Sequence, residues 1–202
     1  MFKKLLGLMV AAAFISGAGN KGTEPPKVEV KIPKEFKDDI PIDYRSKFKR
    51  ISSFEKSALH WNLGIVIYCN TCLKAYLNNY IEFLREFEAD EDEEEELKLE
   101  YKTYPVGTVI VKDHFQLNAA HFVDSSAIPS APSTIAVMVK KEKGFDPTHG
   151  DWLYGYFGAD GKMIASGKAA NPAVKALCSD CHNNIKERDY IFSRRTRSDH
   201  PK

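Results

Sequence analysis

Tyr104-Pro105-Val106-Gly107-Thr108-Val109-Ile110-Val111-Lys112 is the stretch on which the fold turns. Its first four residues make a turn, with proline presetting φ and glycine freeing it. The residues that follow are β-branched and apolar, which suits a buried strand. On such a strand Lys112 ends the run and shares a face with Ile110 and Thr108, because side chains alternate. Thr134 to Lys140 is a second β-branched strand, and Asp151 to Phe157 a third, carrying Trp152, Tyr154 and Tyr156. Gly144 to Gly150 is a turn, Asp160-Gly161 a hairpin signal. The loop from Asn118 to Ser133 is rich in Ala, Ser and Pro. Upstream, Leu63 to Tyr68 is short and apolar, hence another buried strand. A helix follows from Asn70-Thr71 to about Phe87, and Tyr44 to Trp61 has Phe48, Ile51, Phe54, Ala58 and Leu59 at helical spacing. Asn171-Pro172 opens a C-terminal helix, Ala173 to Lys186, with asparagine as cap and proline first. Strands in the middle and helices at both ends predict an α+β fold with a mainly antiparallel sheet.

The chain has 202 residues, with 29 Lys and Arg against 28 Asp and Glu. That allows one domain with a real core, and no global field that would attract nucleic acid. Lys3 and Lys4 precede an apolar run from Leu5 to Ile15 and the small residues Ser16 to Gly19. This reads as a secretory signal peptide over 1–19, leaving no membrane span after cleavage and implying a periplasmic protein. Residues 20–43, with Pro25, Pro26, Pro33 and Pro41, read as a flexible tether, so the domain is expected over 44–202. The acidic run 88–96 reads as a solvated insertion. Cys69 and Cys72 sit at the corner between strand and helix. A local disulfide is open to them in an oxidising compartment, but the short loop favours two half-buried free thiols.

Close to the C-terminus stands Cys178-Ser179-Asp180-Cys181-His182. Two thiols three residues apart, with histidine next, have the spacing of c-type haem attachment. Each thiol adds across one vinyl group, and the histidine reaches the iron as proximal ligand. With 4 Cys and 6 His in the chain, chance gives roughly 0.002 such strings. Zinc is the competing reading, but adjacent Cys and His do not easily share one tetrahedral ion. Cys178 and Cys181 are therefore candidate anchors for one covalent haem c, and His182 is the candidate iron ligand. Cys69 and Cys72 share the spacing but are followed by Leu73, so no second haem is expected. Export agrees with this, since cytochromes c usually mature in the periplasm.

Together these segments resemble the cytochrome P-460 and cytochrome c′-β family. The likeness rests on Tyr104 to Lys112, Val137 to Lys140, Gly144-Phe145-Asp146-Pro147 with Gly150-Asp151-Trp152, Cys178 to His182, and Asp189-Tyr190-Ile191-Phe192. It covers about 60–192. The resemblance implies a homodimer of antiparallel β domains with five-coordinate haem c. It also implies one of two activities. P-460 members carry a lysine–porphyrin link and oxidise hydroxylamine; c′-β members have an apolar, phenylalanine-lined distal pocket and bind nitric oxide or carbon monoxide.

Lys112 is the candidate for that link, against the plain reading of a lysine at a strand end. Phe115, Phe122, Ala136 and Met138 are candidates for the distal pocket. Glu142 and Asp113 are the nearest carboxylates for a general base, and both sit toward turns, which favours the ligand-binding branch. Met138, Met163, His114, His121 and His149 are weighed as sixth ligands; the methionines read better as core, the histidines as surface or loop residues. Arg188 could bond a propionate or be solvated. A small gaseous or nitrogenous ligand is thus expected, and a redox partner protein is possible. The alternative is a six-coordinate electron carrier.

Overall fold

The computed structural model describes residues 29–57, 60, 63–89, 97–117 and 131–192. The signal peptide, residues 90–96 of the acidic run, His121, Phe122 and the tail after 192 lie outside them. The centre is one antiparallel sheet: β1 (Lys49–Arg50), β2 (Glu55–Ser57), β3 (Leu63–Cys69), β4 (Val109–Phe115), β5 (Thr134–Lys140), β6 (Trp152–Gly158) and β7 (Met163–Gly167). The order is β1-β3-β4-β5-β6-β7, with β2 also paired to β3. Helix α1 (Tyr44–Lys47) is short, and α2 (Leu73–Glu88) is long. The C-terminal helical segment runs from Pro172 to Arg188, its turns changing from α to π at Lys175–Ser179 and ending in a 3-10 turn from Asn183. The fold is α+β. Among the described residues no helix is long and apolar enough to cross a membrane.

Strand β4 does not end at Lys112. It continues through Asp113, His114 and Phe115, with every residue from Ile110 paired to β3 and from Val109 to His114 paired to β5. Alternation therefore sends Ile110, Lys112 and His114 to one face and Val109, Val111, Asp113 and Phe115 to the other.

The second face is covered by residues expected to be a tether. Val30, Ile32, Phe36, Ile40 and Tyr44 are buried against Val111, Ile135, Val137 and Phe157. Four prolines suggested an unstructured spacer, but apolar residues between them supply the cover that a two-faced sheet requires. Phe36 stacks on Phe157 at 6.1 Å and lies so close to Gly155 that a Cβ there would be 2.3 Å from its ring.

The helix expected over Tyr44–Trp61 is also corrected. After α1 the chain turns extended and adds β1 and β2 to the edge of β3. Its apolar spacing serves burial of Ile51 on the first face, not a helical stripe.

Cys69 and Cys72 form a disulfide rather than remaining free. Cys72 already has helical backbone angles at the start of α2, which brings the Cα atoms to 5.8 Å, within the ordinary range for a bridge. Both are fully buried among Tyr76, Ile110 and Ile191.

Candidate functional site

A cavity lies on the first face of the sheet. The register lays out its floor. Ile67, Lys112, Ala136 and Tyr156 form one row across four strands; Ile110, Met138 and Tyr154 form the next. His114 comes from the row beyond Lys112, opposite Thr134. The remaining wall comes from Leu177, Cys178 and His182, and from Ile191 and Phe192 after the last turn. His60, in the connection between β2 and β3, completes it.

His182 is oriented from behind. Its Nδ1 lies 2.6 Å from the Tyr190 carbonyl, which can only accept, so Nδ1 carries the proton. Nε2 is left as the basic nitrogen, the arrangement a metal-binding histidine needs. The ring stands against Tyr154 at 6.0 Å and Phe192 at 5.4 Å. Burial pushes the imidazole down to about 4, the Lys112 charge works in the same direction, and the Tyr190 carbonyl opposes both. The side chain is thus neutral at pH 7, the form that binds a metal.

The Tyr190 carbonyl is itself placed by a buried clamp. Asp189 and Tyr190 both have left-handed backbone, φ 53° and 66°. The Asp189 carboxylate accepts from Lys140 Nζ at 2.6 and 2.7 Å and from the Tyr104 amide at 2.8 Å, while Trp152 Nε1 donates to its carbonyl at 2.9 Å. Lys140 Nζ also lies 4.9 Å from the Trp152 ring. A second link fixes the cysteine segment: Asp146 Oδ2 accepts from the Ala169 amide, and Ser179 Oγ donates to the Ala169 carbonyl at 2.7 Å. Segments scattered along the sequence meet here because each holds one part of the turn that aims His182.

Of the candidate residues, Lys112, Ala136, Met138, Cys178 and His182 line the cavity. Cys181 is exposed beside it. Phe115 is not in the cavity; it lies on the opposite face and packs on Phe54 at 5.6 Å. Asp113 is buried on that same face, bonded to Tyr44 and to Arg45 Nε at 2.7 Å, and Glu142 is exposed. No carboxylate lines the cavity among the described residues. Met163 packs in the other core cluster. His149 is tied to Asp146 at 3.0 Å. Arg188 bonds Glu86 at 2.8 Å and lies over the Phe83 ring, so it braces α2.

Of two further cavity residues, the sequence does not single out His60 and reads His114 as a surface or loop residue. His60 Nε2 is 3.1 Å from Lys112 Nζ, and its Nδ1 is 2.8 Å from Ser57 Oγ. His114 is no surface residue: it is 1 % exposed, 5.2 Å from the His60 ring and 5.7 Å from Tyr156. Alternation extended two residues past Lys112 would have found it. The chain offers no local signal for His60.

The residues present suit a haem. Two buried polar atoms of the cavity, His114 Nε2 and Tyr154 Oη, have no partner among the described residues, a deficit of about 1–3 kcal/mol each unless a bound group relieves it. An imidazole with a free Nε2 and a thiol share one wall of a concave, mostly apolar site, the setting in which cofactors bind. By contrast, no group of three or more His, Cys, Asp or Glu could hold a metal ion among the described residues.

The sequence model of the family described as cytochrome P460 matches residues 66–193, more than half of the chain. The chain belongs to the cytochrome P460 family. Membership implies haem binding, and the matched range contains the second half of β3, strands β4 to β7, the whole C-terminal helical segment and the Asp189–Tyr190 turn. No curated protein matches the chain.

Proposed function

We propose that this cytochrome P460 family member is an exported protein with one covalent haem c that takes a small diatomic or nitrogenous ligand at an open iron position. The observation that carries this is the cavity itself, with His182 aimed into it from one wall and a mostly apolar sheet surface, interrupted by Lys112, His114 and two tyrosines, forming its floor. Haem iron supplies, when bound, an open coordination position for such ligands. Cys178 and Cys181 would anchor the group through thioethers. His182 holds the metal through Nε2, and the Tyr190 carbonyl fixes its orientation. Ile67, Ile110, Ala136 and Met138 keep water from the floor, favouring neutral ligands. With no carboxylate lining the cavity among the described residues, these side chains do not offer the general base that hydroxylamine oxidation would use. The test is expression with the cytochrome c maturation machinery. Expected are an intact mass raised by one haem, a pyridine haemochrome spectrum for covalent haem, and rapid carbon monoxide uptake by the ferrous protein. A low-spin ferrous form that excludes carbon monoxide would establish the six-coordinate electron carrier instead.

One observation favours the hydroxylamine-oxidising branch as a second reading: Lys112 lies inside the cavity, against His60. A lysine link would move the ferrous Soret band strongly to the red. Lys112→Ala leaving that spectrum unchanged would dispose of this branch.

A further inference from the structure

His114 is the most deeply buried polar side chain on the cavity face of β4, and the haem-holding residues do not use it. Its Nδ1 lies 3.3 Å from Thr134 Oγ1, which lies 3.0 Å from Tyr156 Oη. Its Nε2 is buried with no partner among the described residues. Burial, reinforced by the Lys112 charge, drives the imidazole down to about 3, so it stays neutral. A neutral imidazole has one donor and one acceptor nitrogen, and the neighbours choose between them. Both contacts allow either direction; with the phenol, the stronger acid, donating to the aliphatic hydroxyl, the chain runs from Tyr156 Oη to Thr134 Oγ1 to His114 Nδ1. Nε2 is then the N–H.

We propose that His114 is the hydrogen-bond donor of the ligand site, its Nε2–H contacting a small acceptor ligand held in the cavity. This rests on the haem reading above and narrows it to ligands with an acceptor atom, such as nitric oxide or carbon monoxide. Thr134 and Tyr156 act as positioning residues that hold the tautomer. His60 does not substitute, because its ring nitrogens face Ser57 and Lys112.

The test compares the carbon monoxide complexes of the wild-type holoprotein, His114→Leu, His114→Gln and Thr134→Val. A hydrogen bond of ordinary net strength predicts carbon monoxide leaving His114→Leu about tenfold faster. The C–O stretch of this variant should rise in frequency, with His114→Gln falling between it and wild type. Thr134→Val should shift the stretch in the same direction while leaving the haem spectrum unaltered. Should His114→Leu fail to fold, the wild-type complex alone decides the matter, because a donated proton makes the stretch shift in deuterated solvent. Identical stretches and dissociation rates in wild type and His114→Leu, or no deuterium shift, would overturn the inference while leaving the haem-ligand reading intact. Absence of haem, or of carbon monoxide uptake, would overturn both. A six-coordinate low-spin spectrum lost in His114→Leu would show His114 on the iron, and would also sink the proposal.

Discussion

Asp189 shows how much one side chain can carry. Its carboxylate is enclosed by Lys140 and the Tyr104 amide, and its left-handed backbone turns the following carbonyl toward His182. Asp189→Ala would leave Lys140 buried without its partner, a loss of about 3–5 kcal/mol. It would also release the His182 ring. Thermal unfolding should show the first effect, and a shifted iron–histidine stretch in the ferrous protein the second; a lower melting temperature with an unmoved stretch would mean that Tyr190 is held by other means. The two thiols proposed as haem anchors differ as well. Burial pushes the Cys178 thiol up to about 11, although the Lys112 charge opposes it, whereas Cys181 is exposed. Since the thiolate is the nucleophile, folded protein without haem should be alkylated by iodoacetamide at Cys181 long before Cys178. Equal rates at pH 8, read by peptide mass, would show that the segment opens easily. Under the proposed attachment, the same burial requires a thioether at Cys178 to form before this segment closes onto the sheet.

At the scale of elements, β4 divides the molecule. Its Ile110, Lys112 and His114 face the cavity, while Val111 and Asp113 face the layer made by residues 29–47. That layer packs on the sheet directly beneath the site. Phe36 is its largest apolar contribution; it is fully buried over Gly155, the residue between Tyr154 and Tyr156 on the cavity strand. Phe36→Ala should cost about 3–5 kcal/mol of stability, measurable as a lower urea midpoint. Gly155→Val should destabilise too, because the added Cβ meets the Phe36 ring. If both variants unfold like wild type, residues 29–43 are an appendage after all. The π turn at Lys175–Ser179 is the corresponding feature on the opposite wall. It widens the helix where Cys178 enters the cavity, and π turns of this kind are frequent at functional sites.

Over the whole molecule, the sequence was most legible where a local pattern matched a local cause. Thr134 to Lys140 alternates and is β-branched, and it is β5; Cys178 to His182 has a spacing that few chemistries require. Legibility failed where the cause was distant. Residues 29–43, read as part of a tether, are ordered by a sheet face formed 60 or more residues later, and His60 enters the cavity through a connection with no pattern of its own. Phe115 was misplaced by parity: one step along a strand moves a side chain to the other face. His114 also gives the protein a global signature. Its ordinary value of 6.5 falls to about 3 on folding. Between those values the unfolded chain binds a proton there that the folded chain does not, so stability rises with pH across the window and falls on acidification. Each pH unit inside it is worth about 1.4 kcal/mol at most. Compared with His114→Leu, wild-type holoprotein should therefore lose stability as the pH drops from 7 to 4.5, the two denaturation curves converging or crossing, because the variant has no imidazole to protonate. Parallel loss in both proteins would place the acid sensitivity elsewhere and would mean that His114 meets water in the folded state.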